Sequence, residues 1–267
     1  MKPLDSQVAE APARVWTRLR AYNVGMGLLH LAQGLLILVL SNGFSLPVTA
    51  NFLEGPPGTE ATFTELFSIE SAWGVAIFLF ISAAAHLTLA SPWVFGWYRE
   101  RLKHDRNAAR WIEYAFSSSV MIVLIAMLTG ISDVAALVAL AGVNAAMILF
   151  GLIMERDEVP GRARWLAFWL GTLCGAIPWI AIGIYLVSPG IDASPPGFVW
   201  GIFISLFILF YCCAVTMILP YRRIGPWRND LVGESTYILL SLTAKSALAW
   251  QVFGGTLATG RGRQGAR

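Results

Sequence analysis

Charge is what this chain of 267 residues has least of: 13% of it is Asp, Glu, Lys or Arg, against ~25% in an ordinary soluble domain. That shortfall excludes a typical soluble globule, and the 57% of hydrophobic residues places the chain among membrane proteins. The net charge is only +3 and its cations are scattered, which excludes a face built for nucleic acid. Cysteine is scarce too: Cys174, Cys212 and Cys213 all fall in apolar stretches. The vicinal pair lacks the spacing of a zinc site or a CxxC redox motif, so all three read as reduced small hydrophobes. No internal repeat or low-complexity tract is present. The first twenty residues lack the short apolar core and small-residue cleavage site of a secretory leader, so they read as a solvated, uncleaved segment.

What is present is a series of seven apolar segments of about twenty residues, the length a helix needs to cross a hydrocarbon core of ~30 Å. They cover residues 21–41, 70–93, 111–131, 134–154, 165–188, 198–219 and 232–255. They are continuously apolar and too long for barrel strands. The expected fold is an all-α membrane protein: a polar segment 1–20, a seven-transmembrane helix bundle over 21–255, and a tail over 256–267. Basic residues set its orientation. Fifteen of them lie before the first segment and in the second, fourth and sixth connections, including Arg99, Arg101, Lys103, Arg106 and Arg110. The other three connections hold none, and only the tail adds Arg261, Arg263 and Arg267 on that side. The positive-inside rule places the N-terminus in the cytoplasm and the C-terminus outside the cell membrane. The longest outer connection, residues 42–69, carries a PPG turn at Pro56–Gly58 and a short alternating run over 61–67. It reads either as a strand hairpin or as a mobile surface loop.

Very few ionisable residues fall inside the segments. Lys245 lies about fourteen residues into the last one, ~21 Å of helix. Its side chain reaches only ~6 Å, too short to snorkel to either surface. An intramembrane cation marks a functional site unless it is neutralised or paired. The carboxylate within reach is Glu113, near the start of the third segment; the remaining acids lie at segment ends or in connections. Glu113 reads as the partner of Lys245 or as a helix-end carboxylate held by the dipole. Counted from their helix starts, the two differ in depth by ~12 Å. Desolvation favours the nucleophilic free amine of a buried lysine, which can condense with an aldehyde and then needs a counterion. Ser241, one turn before Lys245, reaches the amine or back-bonds to its own helix. His30 and His86 come out at similar depth in the cytoplasmic halves of adjacent segments. They serve as proton acceptors or as satisfied polar contacts, without enough neighbours for a metal. Asn144 is a further buried polar group that needs a partner, whereas His104 lies in a basic loop and reads as solvated. Trp169, Trp179, Trp200, Phe203, Phe207, Phe210 and Tyr211 in the fifth and sixth segments suit a conjugated polyene, core packing or lipid contact, and Pro178 marks a kink.

A lysine in the seventh segment and a carboxylate in the third resemble the retinal-binding rhodopsins. The cytoplasmic N-terminus, the stretch GPWRNDLVGESTYILLSLTAKSALAWQVFGG and WIEYAFSSS around Glu113 resemble one family among them, the heliorhodopsins. The resemblance covers essentially the whole chain. It implies that Lys245 carries all-trans retinal as a Schiff base, with Glu113 as counterion. It further implies that Ser82, Ser241, Asn107 and Tyr114 are polar neighbours in the counterion region, and that His30 and His86 line a cytoplasmic-side polar cavity. It implies a homodimer in the lipid bilayer, with the 42–69 loop among its contacts. The expected function is that of a photoreceptor and not of an enzyme: a slow photocycle with loss and return of the Schiff-base proton signals to a cytoplasmic partner. The rivals are a light-driven proton or ion transporter and a retinal-free transporter using the Lys245–Glu113 pair. Pumping is disfavoured because the third segment beyond Glu113 carries no second ionisable group.

Overall fold

A computed structural model describes residues 11–60, 62–104, 106–187 and 195–257. The N-terminal ten residues and the tail beyond 257, to which the basic residues Lys2, Arg261, Arg263 and Arg267 belong, lie outside the described residues. The chain runs α1 (Ala13–Leu40), β1 (Ser45–Phe52), β2 (Thr62–Glu70), α2 (Ser71–Ala90), a short α3 (Phe95–Leu102), α4 (Ala108–Leu128), α5 (Val134–Asp157), α6 (Leu166–Val187), α7 (Gly197–Tyr221) and α8 (Asp230–Val252). Six of the long helices, α1, α2 and α4 to α7, are long and apolar enough to cross a membrane by length and composition. This is a multi-pass membrane protein. The seventh long helix, α8, is diluted by Asp230, Glu234 and Lys245.

Local sequence explains the helix boundaries. Asn107 caps α4 by accepting from the Arg110 N–H, Asp133 caps α5 through Ala135 and Ala136, and Asn229 caps α8 through Leu231. The helix α1 begins at Ala13, well before the expected residue 21. Trp16 and Leu19 extend its apolar stripe and are buried with Leu89, Tyr98, Leu102 and Ile238. Arg14 and Arg18 face outward, so hydropathy averaging hides the first two turns.

Successive long helices pack side by side, except that α6 touches α7 only sparsely, and α8 closes the bundle against α1 and α2. Glycines set the closest approaches. A Cβ at Gly27 would meet Leu87 at 2.8 Å, and one at Gly34 would meet Phe80 at 2.5 Å, so α1 and α2 mesh at positions seven residues apart. Across α5, Gly151 receives the Trp111 ring, which would lie 2.4 Å from an added Cβ.

The connection over residues 42–69 is a hairpin, the first of the two expected forms. β1 pairs antiparallel with β2 from Ser45↔Glu70 to Phe52↔Thr62, with a bulge at Val48/Thr49. Val48 and Ala50 are buried, and Thr49 bonds Ser132 through both its backbone N–H (2.9 Å) and its hydroxyl (2.9 Å). The hairpin therefore seats on the start of α5, while β2 stays exposed. The two ends of the bundle differ in chemistry. The hairpin half is a packed apolar core that includes Phe78, Ile122, Ile125, Leu248 and Val252. The half toward α3 holds the buried acids and bases, as follows.

Candidate functional site

Lys245 and Glu113 meet. The Nζ of Lys245 donates to Glu113 Oε1 at 2.7 Å and to Ser241 Oγ at 2.8 Å. Ser82 of α2 donates to the same Glu113 oxygen at 2.6 Å. Lysine and glutamate are both buried, with side chains 4% and 8% exposed. The 12 Å depth difference vanishes because α8 starts farther out than α4: Glu234, in the first turns of α8, is level with Asn107 and Arg110 at the head of α4. Side chains on a helix also lean toward its N-terminus, which tips Lys245 back toward Glu113. Tyr114 lies beneath the amine, its ring centroid 5.1 Å from Nζ, and its hydroxyl donates to the Tyr237 carbonyl at 2.7 Å.

Lys245 opens into an apolar cavity between α4, α5, α6, α7 and α8. Its walls include Met121 of α4, Met147 of α5, Gly171, Gly175 and Trp179 of α6, Phe210 and Tyr211 of α7, and Ala244 of α8. Trp179 anchors them, with Phe203, Phe207 and Phe210 at 5.4–5.5 Å in edge-on contact. The expected aromatics therefore divide: Trp179, Phe210 and Tyr211 line the cavity, whereas Trp169 is 64% exposed and Trp200 lies at the surface away from the cavity. Trp111 and Tyr237, from the third and seventh segments, also line the cavity, as does Phe168, which lies in the fifth segment but is not among the aromatics expected there. An amine at one side of an apolar slot, with its carboxylate outside that slot, fits a polyene aldehyde.

Asn144 finds its partners in Ser118 (2.8 Å) and Ser119 (3.1 Å), which ties α5 to α4. His30 and His86 stack with centroids 5.7 Å apart, and His86 Nδ1 is 2.8 Å from Asn23 Oδ1. They differ in position along their helices: His86 is one turn from the end of α2, and His30 is mid-helix because α1 starts early. The buried Asn23 completes this group. It sits seven residues before His30, on the same stripe of α1, and that spacing was its signal in the sequence.

One placement differs from the resemblance. Asn107 is not beside the counterion; its Nδ2 donates to Glu234 Oε1 at 2.8 Å, and its backbone N–H donates to Glu155. Between those two carboxylates lies Arg110, which donates NH1 to Glu234 and NH2 to Glu155. Tyr98 of α3 adds a hydroxyl donated to Glu234 Oε1 at 2.7 Å. Glu113 is thus not the only buried carboxylate. Glu155 and Glu234 sit at segment ends, where hydropathy alone reads them as solvated.

The sequence model of the heliorhodopsin family matches residues 19–257. No match is found among curated proteins. Among solved structures the fold is similar to that of xanthorhodopsin, a light-driven ion pump with dual chromophore (TM-score 0.67, 12% identity, 95% of each chain covered). It is also similar to the transmembrane domain of the Salpingoeca rosetta rhodopsin phosphodiesterase (0.62, 11%, 93% of this chain and 90% of that one) and to a light-driven proton pump from Leptosphaeria maculans (0.62, 14%, 92% and 98%). At these identities the likeness is one of fold. The family match takes in all but the first turns of α1, the other six long helices and the Lys245–Glu113 pair: the chain belongs to the heliorhodopsin family, and a retinal chromophore comes with that membership.

Proposed function

We propose that this chain is a light sensor that moves no ion across the membrane. All seven long helices cross it, with the α3 end in the cytoplasm, as the distribution of basic residues requires. All-trans retinal joined to Lys245 would supply light absorption and isomerisation. The protein's own residues hold and receive charge. Glu113 neutralises the cation at Nζ; Ser82 and Ser241 fix the carboxylate and the nitrogen on one line of hydrogen bonds. Tyr114 shields the cation's other side with its ring. His30, whose ring nitrogens make no hydrogen bond among the described residues, and His86 are the proton acceptors on the cytoplasmic side. Asn107 and Asn144 act by tying helices together and not by touching the chromophore.

The observation that carries this reading is the asymmetry about Lys245. Toward the hairpin the amine meets only the apolar core, and among the described residues no buried ionisable group lies there. Toward α3 it meets Glu113, the two histidines and the Arg110 cluster. A proton leaving Nζ has acceptors on one side alone, which supports local proton shuttling over pumping. A second copy packed through the hairpin and neighbouring helices, and a cytoplasmic signalling partner, complete the proposal.

Purified protein supplied with all-trans retinal is expected to gain a visible absorption band that Lys245→Ala eliminates. Illuminated proteoliposomes are expected to show no sustained pH change. An unchanged band in Lys245→Ala would overturn the chromophore reading, and an uncoupler-sensitive pH gradient would overturn the sensor reading.

A further inference from the structure

The short helix α3 has no part in the chromophore site, yet it presents a built surface. It follows α2 after residues 91–94 and is seated on α1, α2 and α8 by Phe95, Tyr98 and Leu102. This fixes it at the depth where α2 leaves the membrane. Its opposite face carries Trp97, 44% exposed, and Trp93, in the turn just before the helix, is 90% exposed. Arg101 follows at the same four-residue spacing, its guanidinium 5.6 Å from the Trp97 ring centroid. The neighbouring anion, Glu100, is matched by Lys103 at 3.0 Å and His104 at 3.8 Å. Arg99 and Arg101 pair with no carboxylate among the described residues.

We infer that α3 is a binding site for anionic phospholipid headgroups of the leaflet it adjoins. Indole rings belong at headgroup depth, where the ring is apolar and the N–H meets water. Two exposed indoles beside two unmatched guanidinium groups complement a lipid that is apolar at the glycerol level and anionic above it. Trp93 and Trp97 lie against the upper acyl chains and glycerol; Arg101, beside Trp97, holds the phosphate, and Arg99, on the other flank of the helix, adds to the positive potential that attracts it. This rests on the membrane-spanning fold and not on the chromophore, so its failure would leave the light-sensing reading intact.

Native mass spectrometry of the detergent-purified full chain, incubated with equal phosphatidylglycerol and phosphatidylcholine, tests it. The wild type is expected to retain phosphatidylglycerol preferentially. Arg99→Gln/Arg101→Gln should lower that preference by about five-fold per arginine, whereas Arg99→Lys/Arg101→Lys should keep most of it. Trp93→Ala/Trp97→Ala should weaken retention of both lipids. Arg14→Gln/Arg18→Gln, two exposed arginines on α1, serves as the control and should change little. Circular-dichroism melting confirms that each variant folds. Equal retention of both lipids by the wild type overturns the proposal and leaves the stripe to a protein partner. An unchanged preference in Arg99→Gln/Arg101→Gln, or an equal loss in the α1 control, overturns it as well.

Discussion

Two buried ion clusters lie in the same half of this bundle, and they are built on different cations. One is Lys245 with Glu113, two hydroxyls and an apolar cavity. The other is Arg110 clamped between Glu155 and Glu234, with Asn107 and Tyr98 filling further acceptor positions. A lysine amine gives up its proton and becomes a nucleophile when its surroundings change. A guanidinium stays charged and offers a planar fork that two carboxylates can grip. The lysine cluster is poised for chemistry, and the arginine cluster pins α4, α5 and α8 together. Any proton movement proposed for the first would take place against a frame held by the second.

That contrast breaks most visibly at Arg110. Arg110→Met leaves two carboxylates buried without their shared cation, and removing one partner of a buried ion group costs ~3–5 kcal/mol. Thermal unfolding should show a loss of that order, with the visible band of any remaining folded protein in place. Arg110→Lys should recover only part of the loss, because one ammonium cannot reproduce the fork. A large band shift with little loss of stability in Arg110→Met would reverse the roles assigned to the two clusters.

Glu113→Gln is the converse test. Removing an opposite charge in direct contact moves a titration by on the order of 1–3 pH units. The visible band should therefore change in wavelength or in the pH at which it is lost, with a smaller stability change than in Arg110→Met. A wild-type spectral titration would remove Glu113 as counterion. A steric test comes next in size. In Gly151→Ala the added methyl meets the Trp111 ring at 2.4–2.9 Å and forces that ring toward the cavity it lines. Overpacking of this kind costs ~1–3 kcal/mol, readable by melting, and should perturb the band as well.

The two clusters were unequally legible in the sequence for a physical reason. Lys245 interrupts a long apolar run, and hydropathy exposes such an interruption at once. Glu113 stands out less, because it lies near a helix start and is marked only by the need of Lys245 for a partner. Arg110, Glu155 and Glu234 are each within a few residues of a helix end, where a charge is ordinarily solvated. The long helices were legible because each needs an apolar run to cross lipid. The start of α1 was not, because its buried stripe of Trp16 and Leu19 alternates with arginines. Register between helices was hidden too. Residue counts from the helix starts put Glu113 and Lys245 at different depths, because nothing in the chain says that α8 begins farther out than α4. The spacing Asn23, Gly27, His30, Gly34, Ile37 does carry a message: it is one buried stripe on α1.

The smallest expected effect sharpens the role of the arginine cluster. Tyr98 is wholly buried on α3 and donates to Glu234 at 2.7 Å. Burial and then the adjacent Glu234 carboxylate push its phenol well above the usual tyrosine range. The folded state thus favours the protonated phenol more than the unfolded state does. This contribution is fully present below the ordinary tyrosine pKa of ~10 and is lost as pH rises beyond it. Tyr98→Phe removes a hydrogen bond to a charged acceptor, worth ~1.5–3 kcal/mol, but leaves Arg110 and Asn107 on Glu234, so the lower end applies. Melting temperatures of wild type and Tyr98→Phe should differ by a constant amount from neutral pH to about 9 and converge above ~10. A gap that instead widened with alkaline pH would mean that the phenol ionises more readily when folded, and that it is not held as a donor by Glu234.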